Sequence, residues 1–140
     1  MKDLFNNIHV LRCISPFSEA GNTALVGQII DRQGYESLTY IIATGSLADV
    51  DATFAVLLEE GDNSSLTDAA AVADADLIGT EALAGFIFSD DNETRKLGYR
   101  GNKRYTRLTI TPAANASAAV IAAVAVLGHP ALAPTANPPV

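Results

Sequence analysis

The chain alternates between apolar segments of about eight to eleven residues and short polar segments rich in Gly, Asp, Asn and Ser. The clearest apolar segments lie at residues 23–31, 37–45 and 51–61, and each contains several β-branched or aliphatic side chains. Residues 81–91 have the same character, with Leu and Phe at spaced positions. Segments of this length and spacing are typical of strands in an all-β sandwich or barrel.

Three later segments, at residues 94–100, 103–111 and 118–127, also have strand character. The last contains the run AAVIAAVAVL, in which apolar residues do not alternate with polar ones. Its Val and Ile residues favour a strand, so we expect a central strand covered on both faces, although periodicity alone leaves a buried helix open. Residues 66–72 fit either a short helix or an extended loop.

Seven or eight predicted strands, few helices and no alternation of strands with helices predict two sheets packed face to face. The predicted fold class is all-β, a jelly-roll-like or Greek-key β-sandwich with extended terminal arms. We expect an N-terminal arm at residues 1–15, the β-sandwich domain at 16–128 and a Pro-rich C-terminal arm at 129–140. The last 13 residues contain four prolines, which lack backbone donors and favour extended geometry.

Charge is distributed unevenly along the chain. The sequence contains 16 acidic and nine basic residues, for a net charge of −7. All 16 acids precede residue 94, whereas six of the nine bases lie between residues 95 and 107. A chain polarised in this way can pair its own halves, associate with copies of itself or bind a complementary neighbour. The acidic net charge and the lack of a nucleic-acid-binding motif argue against a nucleic acid as that neighbour.

The basic stretch contains the sequence RGNK at residues 100–103. Gly101 followed by Asn102 between two strand-like segments predicts a two-residue hairpin loop with a positive φ at Gly101. In that register the bases form one outward face, and the opposite face belongs to the core. The core side would carry Leu97, Tyr99, Leu108 and Ile110.

Like charges directly opposite each other destabilise a hairpin, so we expect carboxylates to meet the basic face. They could belong to the same chain, from residues 59–62 or 90–93, or to a neighbouring subunit. The intermolecular alternative predicts a partner-binding site, in which Arg side chains and a tyrosine act as anchors. Its residues would be Lys96, Arg100, Lys103, Tyr105 and Arg107.

No catalytic motif or complete metal-binding pattern is present in the sequence. His9 and His129 lie near opposite ends, and the single cysteine, Cys13, is expected to be a buried small hydrophobe. We therefore predict no enzymatic activity and no cofactor. No signal peptide is evident and the longest apolar run is too short to span a membrane as a helix, so we expect synthesis in the cytoplasm and no membrane partner.

Four parts of the sequence resemble a family of small structural proteins encoded near the head genes of tailed bacteriophages. They are QIIDRQGYESLTYIIATGSLADVDATFAVLLEEGD, LIGTEA, RKLGYRGNKRYTRLTITP and AVAVLGHP, and the resemblance extends from about residue 7 to residue 134. Within that set the chain is similar to the jelly-roll capsid cement of short-tailed Bordetella phages.

The resemblance implies a virion protein that binds the outside of the capsid shell and bridges neighbouring major capsid subunits. It also implies self-association, in the form of a homodimer. Two alternatives remain: another virion component, such as a tail or head-closure protein, or a sandwich module that binds a receptor or carbohydrate. The absence of Trp and the presence of only nine Phe and Tyr residues argue against carbohydrate, because sugar-binding platforms favour exposed aromatic rings.

Overall fold

The computed structural model describes residues 2–139. Within that range the chain forms eleven β-strands, one short α-helix and two 3-10 turns, at Phe5–Asn7 and Asp74–Asp76. The first six strands are β1 (Ile8–Glu19), β2 (Leu25–Val26), β3 (Ile30–Asp31), β4 (Tyr35–Leu47), β5 (Thr53–Gly61) and β6 (Ala70–Ala71). The remaining elements are β7 (Leu77–Ile78), α1 (Glu81–Ala84), β8 (Phe86–Ile87), β9 (Thr94–Tyr99), β10 (Tyr105–Ala113) and β11 (Ala119–Pro130).

The strands form two antiparallel sheets. The five-stranded sheet has the order β1-β11-β4-β9-β7. The six-stranded sheet has the order β2-β10-β5-β6, with β3 also beside β10 and β8 also beside β5. Strands that follow each other in the sequence are mostly not neighbours in a sheet, which is typical of a jelly-roll or Greek-key sandwich. The predicted all-β fold class is confirmed.

The hydrophobic core lies between the two sheets. Both sheets contribute fully buried side chains, among them Ile42 and Ile121 from the first and Leu58 and Leu108 from the second. All four side chains predicted for the core side of the basic stretch are buried: Leu97, Tyr99, Leu108 and Ile110. The alternation of apolar residues is therefore sufficient to identify the inward side of β9 and β10.

The long strands β4, β5 and β11 lie where the hydrophobic pattern predicts them. The run AAVIAAVAVL forms most of β11, between β1 and β4. The expectation that it is covered on both faces is wrong, because buried residues alternate with partly exposed ones along the strand. The outward side of this central strand is thus apolar without being covered.

Two predicted strands are only partly formed. Residues 23–31 make two separate two-residue strands, β2 and β3, instead of one continuous strand. In residues 81–91 the predicted strand is replaced by helix α1 and the short β8, because Thr80 caps a helical turn by accepting a hydrogen bond from the Leu83 amide at 3.0 Å. Residues 66–72 form a loop that ends in the short strand β6.

The chain ends differ from the expected arms. Residues 8–15 belong to β1 and pair with β11, so this part of the expected N-terminal arm is an edge strand of the sandwich. At the other end β11 continues to Pro130, which pairs with Tyr35. The tail then folds back on its own chain, where the Thr135 amide donates to the Asn6 carbonyl at 3.1 Å.

A short segment between β2 and β3 joins the two sheets at one side of the sandwich. The Gly27 amide donates to the Leu108 carbonyl of β10 at 2.8 Å, and the Gln28 amide donates to the Cys13 carbonyl of β1 at 2.9 Å. A Cβ atom at Gly27 would lie 2.6 Å from both Cys13 Sγ and the Leu108 carbonyl oxygen. Only glycine fits at this approach of the two sheets.

Candidate interaction surfaces

The basic stretch connects the two sheets and does not form a hairpin. Strand β9 pairs with β4 and β7, whereas β10 pairs with β2, β3 and β5, so the predicted pairing of β9 with β10 is wrong. The predicted positive φ at Gly101 is also absent. Glycine is needed there for another reason: a Cβ atom at residue 101 would lie 2.5 Å from the hydroxyl oxygen of Tyr99.

Because β9 and β10 lie in different sheets, the four bases predicted to share one face are separated. Lys96 projects from the five-stranded sheet, and Arg107 projects from the six-stranded sheet. Arg100 and Lys103 lie in the connection between the sheets, where the Arg100 Nε donates to the Ala75 carbonyl at 2.9 Å. The single outward basic face of the sequence analysis therefore does not exist.

Most bases of this stretch pair with carboxylates of the same chain. Lys103 Nζ lies 2.6 Å from Asp62, and Arg107 Nη2 lies 3.3 Å from Glu59 on the neighbouring strand. Three further pairs, all intramolecular, join Arg104 to Asp31 and Arg95 to Asp90 and Glu93. The carboxylates were expected to come from the same chain or from a neighbouring subunit, and in the structure they come from the same chain. An additional role of the five predicted residues in binding a partner stays a prediction.

The tyrosines of the stretch are held internally as well. The Tyr99 hydroxyl donates to Glu60 at 2.5 Å and accepts a hydrogen bond from the Lys103 amide at 3.0 Å. Burial, and then the hydrogen bond to Glu60, raises the pKa of Tyr99 well above its usual range. Tyr105 is half-buried, with the Arg104 guanidinium 5.0 Å from its ring centroid. These contacts fix the connection on the sandwich.

The outward side of the five-stranded sheet is more unusual than the surface of the basic stretch. We define the apolar face as the outward side of the five-stranded sheet. Its apolar members are Val10, Ile41, Ala43, Ile78, Val120, Ala122, Val124 and Val126. The outward sides of antiparallel sheets in soluble proteins are usually polar, so an outward side of Val, Ile and Ala requires an explanation.

The strand register arranges these residues in rows across the sheet. One row runs from Val10 through Val126, Thr39 and Gly98 to Ile78. The next row runs from Arg12 through Val124 and Ile41 to Lys96. The exposed fractions are 39% for Val10, 36% for Ile41, 58% for Ile78 and 40% for Val120.

Across β1, β11, β4 and β9 the apolar face is about 15 Å wide, and along β11 it is about 20 Å long, which gives on the order of 300 Å², with Ile78 of β7 beyond this width. A contiguous apolar patch of this size on a single chain is often a binding site. The outward side of the six-stranded sheet differs, because it carries threonines and the Arg107–Glu59 pair among its apolar residues. The apolar face was not predicted from the sequence, although the unbroken apolar run of β11 was its signal.

Two bases lie on the apolar face, one at each side. Arg12 on β1 donates to the Ser15 hydroxyl at 2.8 Å, and Lys96 extends from β9. Within residues 2–139 neither base forms an ion pair with a carboxylate. The outward-facing strand residues of this sheet include no Asp or Glu in that same part of the chain. The face is thus apolar and positively charged.

A cavity of about 360 Å³ opens at one end of the apolar face. Its lining includes Thr39 and Val126 of that face, together with Leu4, Ile8 and Pro130 from the chain ends. Ser37 and His129 border it and are joined by a hydrogen bond of 2.9 Å between Oγ and Nδ1. The lining is mainly apolar and carries no charged side chain, so it suits an apolar side chain more than a charged ligand.

Outside these surfaces, the side chains that could take part in chemistry do not form a cluster. Cys13 is buried, as predicted, and burial raises the pKa of its thiol to about 12, so the thiol stays protonated at neutral pH. His9 is buried and stacks on Tyr35 with ring centroids 5.5 Å apart. Residues 2–139 contain no group of three or more His, Cys, Asp or Glu side chains suited to a metal ion. No helix in this range is long and apolar enough to cross a membrane.

Comparison with known proteins identifies the fold but no family. No family profile matches the sequence, and no curated protein is similar to it. Among solved structures, a xylan-binding module, CBM15, superposes with a TM-score of 0.50 at 12% identity, covering 93% of this chain and 95% of the module. At that identity the similarity shows the shared β-sandwich fold alone.

Two further structures are more distant. The CBM22-1–GH10 part of xylanase 10B from Clostridium thermocellum, complexed with xylohexaose, gives a TM-score of 0.47 at 12% identity, covering 95% of this chain and 28% of that one. A structure of infectious bursal disease virus gives 0.39 at 11% identity, covering 91% and 34%. These values are too low to bear on the function of the chain.

Proposed function

We propose that the chain is a structural protein of a tailed-phage virion, a cement protein that binds the outside of the capsid shell and bridges neighbouring major capsid subunits. The observation that carries this proposal is the apolar face, a surface of mainly aliphatic side chains with no catalytic group on it. Such a surface suits attachment to another protein. The family resemblance in the sequence supplies the identity of that protein, the major capsid protein.

The size of the apolar face fits a cement role. A stable protein–protein interface buries about 800 Å² on each partner, more than twice the area of this face. One copy attached by the face alone would therefore bind weakly. Many copies on a lattice, or a homodimer attached at two points, gain affinity because the second contact becomes intramolecular. Reinforcement of a shell by many repeated contacts uses this effect.

The proposed partners are the major capsid protein and a second copy of the chain. We propose no enzymatic activity, no cofactor, and neither nucleic acid nor membrane as a partner. The proposed location is the exterior of the virion capsid, after synthesis in the host cytoplasm. A position in the tail or at the head–tail junction is the closest alternative within the virion.

A carbohydrate-binding module is a second candidate, favoured by the fold that the chain shares with a xylan-binding module. The distribution of aromatic side chains argues against it. The exposed aromatic residues Phe5, Phe17 and Phe88 lie on separate segments, and the apolar face is aliphatic. Affinity electrophoresis in gels containing xylan or other polysaccharides tests this candidate, since retardation by any of them would favour it.

The decisive experiment for the proposed function is a cryo-electron microscopy map of purified particles of the phage that encodes the chain. We expect density for the sandwich at repeated positions on the outer shell, between neighbouring capsid subunits. Particles that lack the chain should lose their genome at a lower temperature than complete particles. Density only in the tail, or no density at all, would contradict the proposal.

A further inference from the structure

We infer that the apolar face is the surface by which the chain docks on the shell, and that its docking site there is an apolar patch flanked by carboxylates that receive Arg12 and Lys96. This inference rests on the proposed function, because it names the chemistry of the shell partner. It differs from the sequence-based prediction, which places the partner on the basic stretch at residues 95–107.

The charges of the two surfaces favour the apolar face. Lys103, Arg104 and Arg107 of the basic stretch already pair with carboxylates of their own chain. Arg12 and Lys96 have no carboxylate partner in the described part of the chain. A partner that covers the face removes water from both bases, which is unfavourable unless the partner provides opposite charges. The occupant must therefore present carboxylates at the two sides of its apolar centre.

A second copy of the face does not meet this requirement. Arg12 and Lys96 lie at the two ends of one row, with Val124 and Ile41 between them. If two copies stack face to face about a twofold axis along the strands, Arg12 of one copy faces Lys96 of the other. If the axis runs along the row, each base faces its own equivalent. Either arrangement opposes like charges, so a homodimer would use another surface.

The cavity at the end of the apolar face provides the anchor point. It adjoins the row that contains Val126 and Thr39, and its walls are mainly aliphatic. An aliphatic or aromatic side chain of the shell that enters this cavity would contact its apolar walls and be partly removed from water. Such an anchor beside paired charges is the arrangement that dominates binding energy in protein interfaces. The cavity thus fixes the position of the partner along the strands, and the two bases fix it across them.

The test compares two double variants with the same change in net charge. Arg12→Glu with Lys96→Glu reverses both bases of the apolar face, and Arg100→Glu with Lys103→Glu reverses two exposed bases of the basic stretch. Each purified variant is mixed with shells of the phage that have been freed of the chain, and retention is measured by cosedimentation. We expect the first variant to lose at least about tenfold in apparent affinity and the second to lose less than about twofold.

A second pair of variants tests the apolar contact without changing charge. Ile41 on the apolar face and Leu57 on the outward side of the other sheet are similarly exposed, at 36% and 38%. We expect Ile41→Thr to weaken retention several-fold and Leu57→Thr to leave it unchanged. Thermal unfolding of all four variants beside wild type identifies any loss that follows from misfolding, and only folded variants are compared.

The possible outcomes distinguish a failure of the inferred docking surface from a failure of the proposed function. Shells that do not retain wild-type protein overturn the proposed function, and the docking surface with it. Retention of wild type together with unaffected Arg12→Glu/Lys96→Glu and Ile41→Thr variants overturns the docking surface alone. Equal losses for the two charge variants would also overturn it, because they would show a dependence on total charge and not on this face.

Discussion

The hydroxyl groups of Tyr40 on β4 and Thr106 on β10 lie 2.6 Å apart in the core and join the two sheets of the sandwich. Both side chains are fully buried, so water cannot replace either partner. Burial raises the pKa of Tyr40 far above its usual range, and the hydroxyl therefore stays neutral at any physiological pH. This hydrogen bond is a fixed polar contact between the two sheets, among mainly apolar side chains.

Removal of both partners of this contact should cost less than the two single removals added together. Tyr40→Phe or Thr106→Val leaves a buried hydroxyl without a partner, and each should lower the free energy of unfolding by about 1–3 kcal/mol. The double variant should cost clearly less than the sum of the two single variants, by about 1 kcal/mol or more. Urea denaturation of the four proteins measures the coupling. Additive effects would show that the two hydroxyls do not act as a pair.

For the substitution Arg107→Glu, the observed Arg107–Glu59 pair and the hairpin interpretation predict changes in stability of opposite sign. In a hairpin, Arg107→Glu would relieve a like-charge contact and leave the isolated chain slightly more stable. In the observed sheet Arg107 lies opposite Glu59, so the same substitution creates a like-charge pair and should lower the free energy of unfolding by about 1 kcal/mol. Adding Glu59→Arg to this variant should recover most of the loss. A single variant as stable as wild type would argue against the observed register.

Stability should fall at alkaline pH because of Tyr40 and Tyr99. The pKa of each is raised in the folded chain above the ordinary tyrosine value of 10.0, so both stay protonated where the unfolded chain already ionises. Their contribution to stability is complete below about pH 10 and is lost progressively as pH rises towards the folded pKa. Each tyrosine that ionises only on unfolding adds a slope of at most about 1.4 kcal/mol per pH unit.

Denaturant unfolding at pH 9, 10 and 11, with absorbance at 295 nm to follow tyrosinate, measures this effect. We expect absorbance from the two buried tyrosines to appear together with unfolding. Tyr99→Phe serves as the control, because it removes one titrating group and should flatten the decline above pH 10. A folded protein in which all four tyrosines ionise near pH 10 would contradict the prediction.

Removal of the Pro-rich tail should leave the sandwich folded. Beyond Pro130 the tail is joined to the rest of the chain by a few hydrogen bonds, including that of the Thr135 amide to Asn6 and that of the Ala131 amide to Gly34. Deletion of residues 131–140 should therefore lower the free energy of unfolding by about 1–2 kcal/mol. Deletion from residue 129 should cost more, since it also shortens β11.

The protein truncated from residue 129 should attach to the shell less tightly than the full chain. The longer deletion removes His129 and Pro130 from the cavity at the end of the apolar face. Urea unfolding and cosedimentation with shells measure the two effects separately. Loss of soluble, cooperatively unfolding protein on the shorter deletion would show that the tail is part of the core.

Self-association of the purified protein is a further prediction. We expect a homodimer at micromolar concentrations, formed by a surface other than the apolar face. Sedimentation velocity over a concentration series measures the dimer, and Arg12→Glu with Lys96→Glu should leave its dissociation constant unchanged. A monomer at every accessible concentration would restrict any dimer to the assembled shell.

The periodicity of apolar residues was sufficient to predict the fold class and the long strands β4, β5 and β11, but neither β1, which was expected to be an arm, nor how the strands pair. Gly101 illustrates the reason. A glycine before Asn102 is a common hairpin signal, yet here the glycine makes room for the Tyr99 hydroxyl, 2.5 Å from where its Cβ would lie. A contact with one side chain and a tight turn select the same residue, so the local sequence cannot distinguish them.

The candidate site illustrates a second limit. Clustered charge is conspicuous in a sequence, so the partner-binding site was predicted at the bases of residues 95–107. Their carboxylates lie some 40 or more positions away for Lys103 and Arg107, and these pairings depend on which strands become neighbours. The apolar face, by contrast, combines residues of β1, β11, β4 and β7 that are unremarkable one by one. Thr80, which begins the helical turn of α1, was a local signal that could have been read.

The segment between β2 and β3, which bonds to both β1 and β10, affects whether free copies of the protein can aggregate. A flat apolar sheet beside an open strand edge is the arrangement from which chains polymerise into cross-β fibrils. Here β1 is one of the two edge strands of the sheet that carries the apolar face, and its pairing with β11 shifts register between Arg12 and Ile14 and again before Phe17. Gln28 occupies the Cys13 carbonyl on its free side. At β1 an incoming strand therefore meets an irregular and partly occupied edge, so copies that accumulate at high concentration can touch by their side chains without extending the sheet at this edge.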